Sequence, residues 1–218
     1  MRPRALEPNG VILVDKPPGP SSFAIVAAVR RRTGARTGHA GTLDPFASGL
    51  LLLLSGAATK LQPRFVGLDK RYLTEIDLSG RTATGDPEGD VVEEHVPPDQ
   101  GELEARLAEL RGDVELPIPA ASAVKIGGER AYRLHRRGVT VEMPVRRSTV
   151  HELVLERYEG GVARLDLVVS SGTYVRAIAD VLGGHCLTLR RTAIGPFTVD
   201  EADEDRVISP DDALERLR

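Results

Sequence analysis

The chain is 218 residues long and 41% hydrophobic, enough for one sizeable core or two small ones, and its formal net charge of -3 argues weakly against a nucleic-acid partner. Its one cysteine, Cys186, excludes an intrachain disulfide and a multi-cysteine zinc site. No apolar run nears the ~20 residues of a bilayer-spanning helix, and MRPRALEPNG lacks the apolar stretch of an export signal, so a cytoplasmic protein is expected. Charge is nevertheless segregated. Residues 1–60 sum to +5 and residues 116–147 to +5, whereas residues 77–115 sum to -9 and the stretch from Asp200 onward to -5. That pattern suits one face for a polyanion and another turned away from it, or ordinary scatter that averages out in three dimensions.

Taken in order, Gly10–Asp15 (GVILVD) reads as a buried strand and Lys16–Pro20 as an irregular loop. Ser21 or Ser22 can cap a helix over Phe23–Arg32, with Phe23, Val26, Ala27 and Arg30 at helical spacing and Gly34 as the stop. Arg30, Arg31 and Arg32 suit the helix end by their charge, and phosphate contact is the alternative use. Gly38–Leu50 (GHAGTLDPFASGL) then places His39, Asp44 and Ser48 among turn-forming residues. The all-apolar run Leu50–Leu54 follows at once, so a polar loop is joined directly to core. Ser55–Lys60 is a turn or short helix. Lys70–Leu78 alternates as a strand with Tyr72, Thr74 and Ile76 on one face. Arg81–Gly89 is a loop, and Val91–Val92 a short strand. Leu103, Leu107 and Leu110 mark an amphipathic helix over Asp99–Leu110. Pro117 and Pro119 break the chain; Ala121–Ile126 is extended and Glu129–Arg137 a basic helix ended by Gly138. Strands over Arg147–Tyr158 and Val162–Val169 form a hairpin about Gly160–Gly161. Thr173–Leu182 is helical, and Leu187–Thr192 and Phe197–Val199 are the last strands. No linker divides the chain, and the class is α+β with an antiparallel sheet.

The chemistry is less explicit. Asp44 has no second carboxylate nearby for paired acid–base work, and its place before Pro45 also suits a turn. Neither a nucleophile-elbow pattern nor a P-loop occurs. His39, His95, His135, His151 and His185 show no metal-ligand spacing, so no metal is expected.

The residues themselves carry a stronger signal. GHAGTLDPFASGLL resembles the catalytic loop of the bacterial tRNA pseudouridine synthase B family. Four further blocks match it in order: GVILVDKPPGPSS, the tyrosine-bearing LDKRYLTEIDLSGRTATGDPEGDVV, PAASAVKIGGERAYRLHRRG, and SSGTYVRAIADVLG with LRRTAIGPF. The resemblance implies a pseudouridine synthase fold, a mixed and mostly antiparallel sheet flanked by helices around a central active-site cleft. The reaction implied is isomerisation of the uridine at position 55 in the T loop of tRNA, with no metal or organic cofactor. The partner would be the T-arm stem-loop, bound by a monomer with no membrane attachment.

Carried over residue by residue, the resemblance makes Asp44 the catalytic carboxylate and Arg176 the cation that pairs with it. It makes Tyr72 the ring over the target uracil, and Tyr174 and Leu189 pocket walls. His39 would take the place of the flipped nucleotide, since a stacked base must be extruded before chemistry. Lys16, Lys125, Arg130, Arg133, Arg136 and Arg137 would meet phosphates, with holding the active-site loop as the alternative for Lys16. Residues 1–199 would be the catalytic domain, residues 117–147 an RNA-contacting thumb-like insert, and residues 200–218 a short acidic tail in place of the family's PUA-like domain. Leu116 and Ala121 stand where the family tends to have Gln and Tyr, and the segment Gly183–Leu187 is shorter than usual. Two alternatives remain on these residues: a guide-RNA-directed pseudouridine synthase, and a T-arm chaperone without chemistry.

Overall fold

The structure, a computed structural model, describes residues 9–218; the expectation drawn from residues 1–8 lies outside them. Strand β1 (Gly10–Lys16) leads to helix α1 (Ser22–Thr33). Ser21 caps α1 by accepting from the Ala24 amide, and Gly34, left-handed at φ 68°, closes it by donating to the Arg30 carbonyl. Strands β2 (Thr37–His39) and β3 (Ser48–Ser55) flank the Asp44 loop. A 3-10 turn and helix α2 (Gln62–Val66) precede β4 (Lys70–Asp77). The small pair β5 (Gly80–Thr82) and β6 (Val91–Glu94), helix α3 (Gln100–Glu109) and β7 (Gly112–Pro117) follow. The insert holds β8 (Lys125–Ile126), β9 (Glu129–Arg130) and α4 (Ala131–Arg136). The hairpin β10 (Val145–Glu159) and β11 (Val162–Val169) turns at Gly160–Gly161 as expected. The chain ends with α5 (Val175–Val181), β12 (His185–Ile194), β13 (Phe197–Thr198), β14 (Asp203–Ile208) and α6 (Pro210–Glu215). The architecture is α+β with a mixed, mostly antiparallel sheet.

Two compact units divide the chain: one runs up to Leu73 and resumes at Leu189–Arg218, the other is Thr74–Thr188. In the first unit the strand order is β14-β1-β3-β12, with β2 added to β3 and β13 to β12. The run Leu50–Leu54 is fully buried because β3 is covered on both faces. Leu50, Leu52 and Leu54 pack with Phe65, Ile194, Phe197 and Ala213. Leu51 and Leu53 pack with Ile12, Val14 and the α1 residues Val26 and Val29. Each such leucine contributes about 1.5–3 kcal/mol by burial.

The helix face expected for α1 is used only in part: Val26 is buried and Ala27 half-buried, but Phe23 and Arg30 are exposed. Phe23 is 68% exposed, while Ser22, Val26 and Val29 are buried. Ser22 Oγ is tied to the chain at Leu43, which sets the rotation of the helix. Residues 200–218 are more than a trailing segment: β14 pairs antiparallel with β1, and Ala213, Leu214 and Leu217 join the core. Arg216 lies 4.4 Å over the Phe197 ring and also binds Glu201.

The second unit is built on the long hairpin β10–β11, with β7 on the outer side of β10. Leu153, Leu165 and Leu167 of the hairpin, Leu103 and Leu107 of α3, and Val175–Ala179 of α5 are all buried.

Candidate active site and its supports

The loop between β2 and β3 is held by its carbonyls, nearly one at a time. Lys16, at the end of β1, is completely buried. Its Nζ donates to the carbonyls of Pro17 (2.9 Å), Pro45 (3.1 Å) and Ala47 (2.7 Å). Ser22 Oγ donates to the Leu43 carbonyl at 2.9 Å and accepts from the Leu43 amide at 2.8 Å. The Asp44 carbonyl accepts from the Ala47 amide at 3.2 Å. Arg191, 1% exposed, donates from Nε to the Leu50 carbonyl (2.8 Å), from Nη1 to Thr42 (3.3 Å) and from Nη2 to Gly41 (3.1 Å). Every carbonyl from Gly41 to Pro45 thus has a donor. That leaves Asp44, half-buried, on a backbone with little freedom.

The arrangement bears on the two uses weighed for Lys16. All three ammonium protons go to carbonyls and the side chain is sealed from solvent, which favours the loop-holding use over phosphate contact. Burial lowers its pKa below the ordinary lysine value and Arg191 adds to this, while the neighbouring Asp44 acts against them.

His39 is half-buried at the end of β2, its carbonyl bound by Gln62 Nε2 at 2.7 Å. Burial, then the positive charge of Arg191, push its imidazole below the usual range, so the ring is neutral near pH 7. Tyr72 and Leu189 are each 7% exposed, on β4 and β12. Period-two alternation puts Tyr72 on the same strand face as Lys70, and Leu189 on the same face as Arg191. Lys70 is 5% exposed and donates to the carbonyls of Val66 (2.6 Å) and Leu68. Burial, reinforced by Arg191 and opposed by Asp69, lowers its pKa to about 8. The first unit therefore gathers Lys16, His39, Asp44, Tyr72 and Leu189, together with Lys70 and Arg191.

The remaining expected residues belong to the second unit. Arg176, 3% exposed in α5, donates to the carbonyls of Thr84 (2.6 Å) and Ala121 (3.0 Å). It also lies 3.6 Å from Asp86 Oδ2. Asp86 in turn accepts from Thr84 Oγ1 and the Glu88 amide. Ala121 lacks the side chain of the family's tyrosine, yet its carbonyl still serves Arg176. Tyr174, half-buried, caps α5. In the insert, Lys125, Arg130, Arg133, Arg136 and Arg137 are exposed. Arg137 already holds both oxygens of Glu129, at 2.6 and 2.9 Å, and Arg130 donates to the Ala123 carbonyl. The guanidinium carbons of Arg133 and Arg136 sit 5.9 and 5.8 Å from the Tyr132 ring centroid.

The sequence reading missed Arg191, Ser22, Lys70 and Asp86. Strand alternation from Leu189 was the signal for Arg191, since the residue two along a strand from an inward leucine also points inward. Asp86 carried no comparable signal: it lies in a loop of turn-forming residues.

The fold is that of the pseudouridine synthases. A solved Cbf5-Nop10-Gar1 complex contains a chain that aligns with a TM-score of 0.68 and 28% identity, over 89% of this chain and 51% of that one. This chain thus spans about half the length of that structural relative. Residues 30–175 match the family described as TruB family pseudouridylate synthase, N terminal domain, and the chain belongs to that family. The protein named tRNA pseudouridine synthase B of Arthrobacter sp. (strain FB24) is 41% identical over 209 residues, 89% of this chain and 68% of that protein. Its namesake in Mycobacterium sp. (strain KMS) is 44% identical, over 89% of this chain and 70% of that protein. That of Chromohalobacter salexigens is 40% identical over 99% and 73%.

Proposed function

We propose that this chain converts uridine to pseudouridine at position 55 in the T loop of tRNA, acting as a monomer in the cytoplasm on the T-arm stem-loop. The observation that carries the reading is the Asp44 loop, whose backbone is held by Lys16, Ser22 and Arg191, in a chain 40–44% identical to proteins named tRNA pseudouridine synthase B. In the reaction the N1–C1′ bond breaks, the uracil turns, C5 joins C1′, and the C5 hydrogen leaves as a proton while N1 takes one up. A carboxylate is the chemical requirement, as nucleophile or as proton acceptor, and Asp44 supplies it. Tyr72 is the ring against the uracil and Arg176 the cation supporting the carboxylate. Tyr174 and Leu189 line the pocket. A neutral His39 replaces the flipped base in the stack without paying the desolvation penalty of an imidazolium.

Residues 117–147 form the RNA-contacting part of the catalytic domain, whose core takes in β14 and α6 as well. Lys125, Arg130, Arg133 and Arg136 are the phosphate contacts, and Arg137 a weaker one because Glu129 holds it.

The test is to incubate an unmodified tRNA transcript with the purified chain and map pseudouridine by carbodiimide modification and primer extension. A single stop, one nucleotide 3′ of position 55, is expected. Modification elsewhere, or none, overturns the assignment. A second reading is guide-RNA-directed synthesis, with which the likeness to a chain of the Cbf5-Nop10-Gar1 complex is compatible. Turnover on bare transcript with no added RNA or protein separates the two.

A further inference from the structure

Arg191 is a buried guanidinium with no carboxylate within ion-pair distance among the described residues. An apolar residue would fill the same volume with a smaller desolvation cost. What the guanidinium adds is reach. Its three nitrogens join the entry of the Asp44 loop, at Gly41 and Thr42, to its exit at Leu50. The backbone beneath is equally constrained. Strand β12 runs parallel to β3 with Arg191 opposite Gly49. Gly49 has φ +102°, and a Cβ there would stand 2.2 Å from the Arg191 carbonyl oxygen. Main chain and side chain of one residue therefore set both ends of the loop that carries Asp44. The Lys16 and Ser22 side chains hold its middle, and the Lys16 main chain pairs with Gly49 at its exit.

Building on the proposed reaction, we propose that Arg191 is a positioning residue for it: the guanidinium fixes the separation of the loop's two ends and so the place of the Asp44 carboxylate, without touching the RNA. A lysine in its place keeps the charge and the stem, but one nitrogen cannot span carbonyls on both ends of the loop. The charge also favours the neutral imidazole at His39, so the same side chain conditions the second functional residue of the loop.

The experiment compares wild type, Arg191→Lys, Arg191→Ala and Asp44→Asn on a T-arm stem-loop. It measures Kd by filter binding and the single-turnover rate by tritium release from uridine C5. For Arg191→Lys the expected result is a rate lowered at least about 100-fold, the order expected for a 1 Å misplacement, with Kd within about threefold of wild type. For Arg191→Ala, millimolar methylguanidine should restore at least about tenfold of the lost rate, which a merely misfolded protein would not show. Wild-type rate in Arg191→Lys overturns the inference. So does a loss of binding that matches the loss of rate, or an Arg191→Ala variant that binds RNA but is not rescued. If wild type itself releases no tritium, it is the proposed reaction that fails, and the Asp44→Asn lane then matches wild type.

Discussion

Replacing Lys16 by Met tests how the Asp44 loop is held. The unbranched stem is kept, so packing at a fully buried position changes little. What is lost is the ammonium and its bonds to Pro17, Pro45 and Ala47. Leaving a buried carbonyl without its charged donor costs about 1–3 kcal/mol. Two of these carbonyls belong to the loop itself, and the third adjoins Lys16 and can reorient. Removing a buried charge returns part of that sum, so the net loss is about 2–4 kcal/mol. For a chain of this length the midpoint of thermal unfolding should fall by about 4–16 °C. Turnover should fall about 100-fold, because Pro45 and Ala47 bracket Asp44. Calorimetry, tritium release and stem-loop binding against salt would be measured together. The binding slope should not change, since a loop-holding Lys16 meets no phosphate. A variant as stable and as active as wild type, or one whose slope falls by about one phosphate contact, about 0.9, would refute the reasoning.

Lys70 gives a pH signature. Its folded pKa, about 8, lies below the ordinary 10.5, so the unfolded chain binds more protons between these values and stability from this group rises with pH across that window. Urea unfolding from pH 7 to 10.5 should show that rise in wild type and a flatter profile in Lys70→Met; identical profiles would remove Lys70 as its source. In the insert, Arg136→Ala should reduce the slope of log affinity against log salt by about 0.7–0.9. Arg137→Ala should reduce it less, because Glu129 already neutralises that side chain. Equal reductions, measured by filter binding, would show that Glu129 releases Arg137 to the RNA.

Much of this was legible in the residues. The run Gly10–Asp15, the Ser21 cap and Gly34 stop of α1, the leucine run of β3 and the Gly160–Gly161 hairpin each carry a local signal that the tertiary structure keeps. The exposure of Phe23 was hidden, because spacing alone cannot say which face of a short helix is anchored; the two hydrogen bonds between Ser22 Oγ and the Leu43 main chain, one donated and one accepted, decide it. Strand β14 and helix α6 were masked by acidic residues, with only Val207, Ile208, Ala213, Leu214 and Leu217 packing inward. The division into two units leaves no linker to read, because the chain passes between them inside β4 and inside β12. Asp44 stood out only as a carboxylate in a glycine-rich loop. The groups that hold it lie 28 residues before it, at Lys16, and 147 after it, at Arg191, too far apart in sequence for any spacing rule to join them.

Pseudouridine formation, as proposed, rests here on the carboxylate of Asp44. The most direct measurement is tritium release from a T-arm stem-loop labelled at uridine C5, for wild type and Asp44→Asn at matched, saturating protein. Full release is expected from wild type, and none from the variant while it still binds the stem-loop. Release by Asp44→Asn at a rate near that of wild type would contradict that role of the carboxylate.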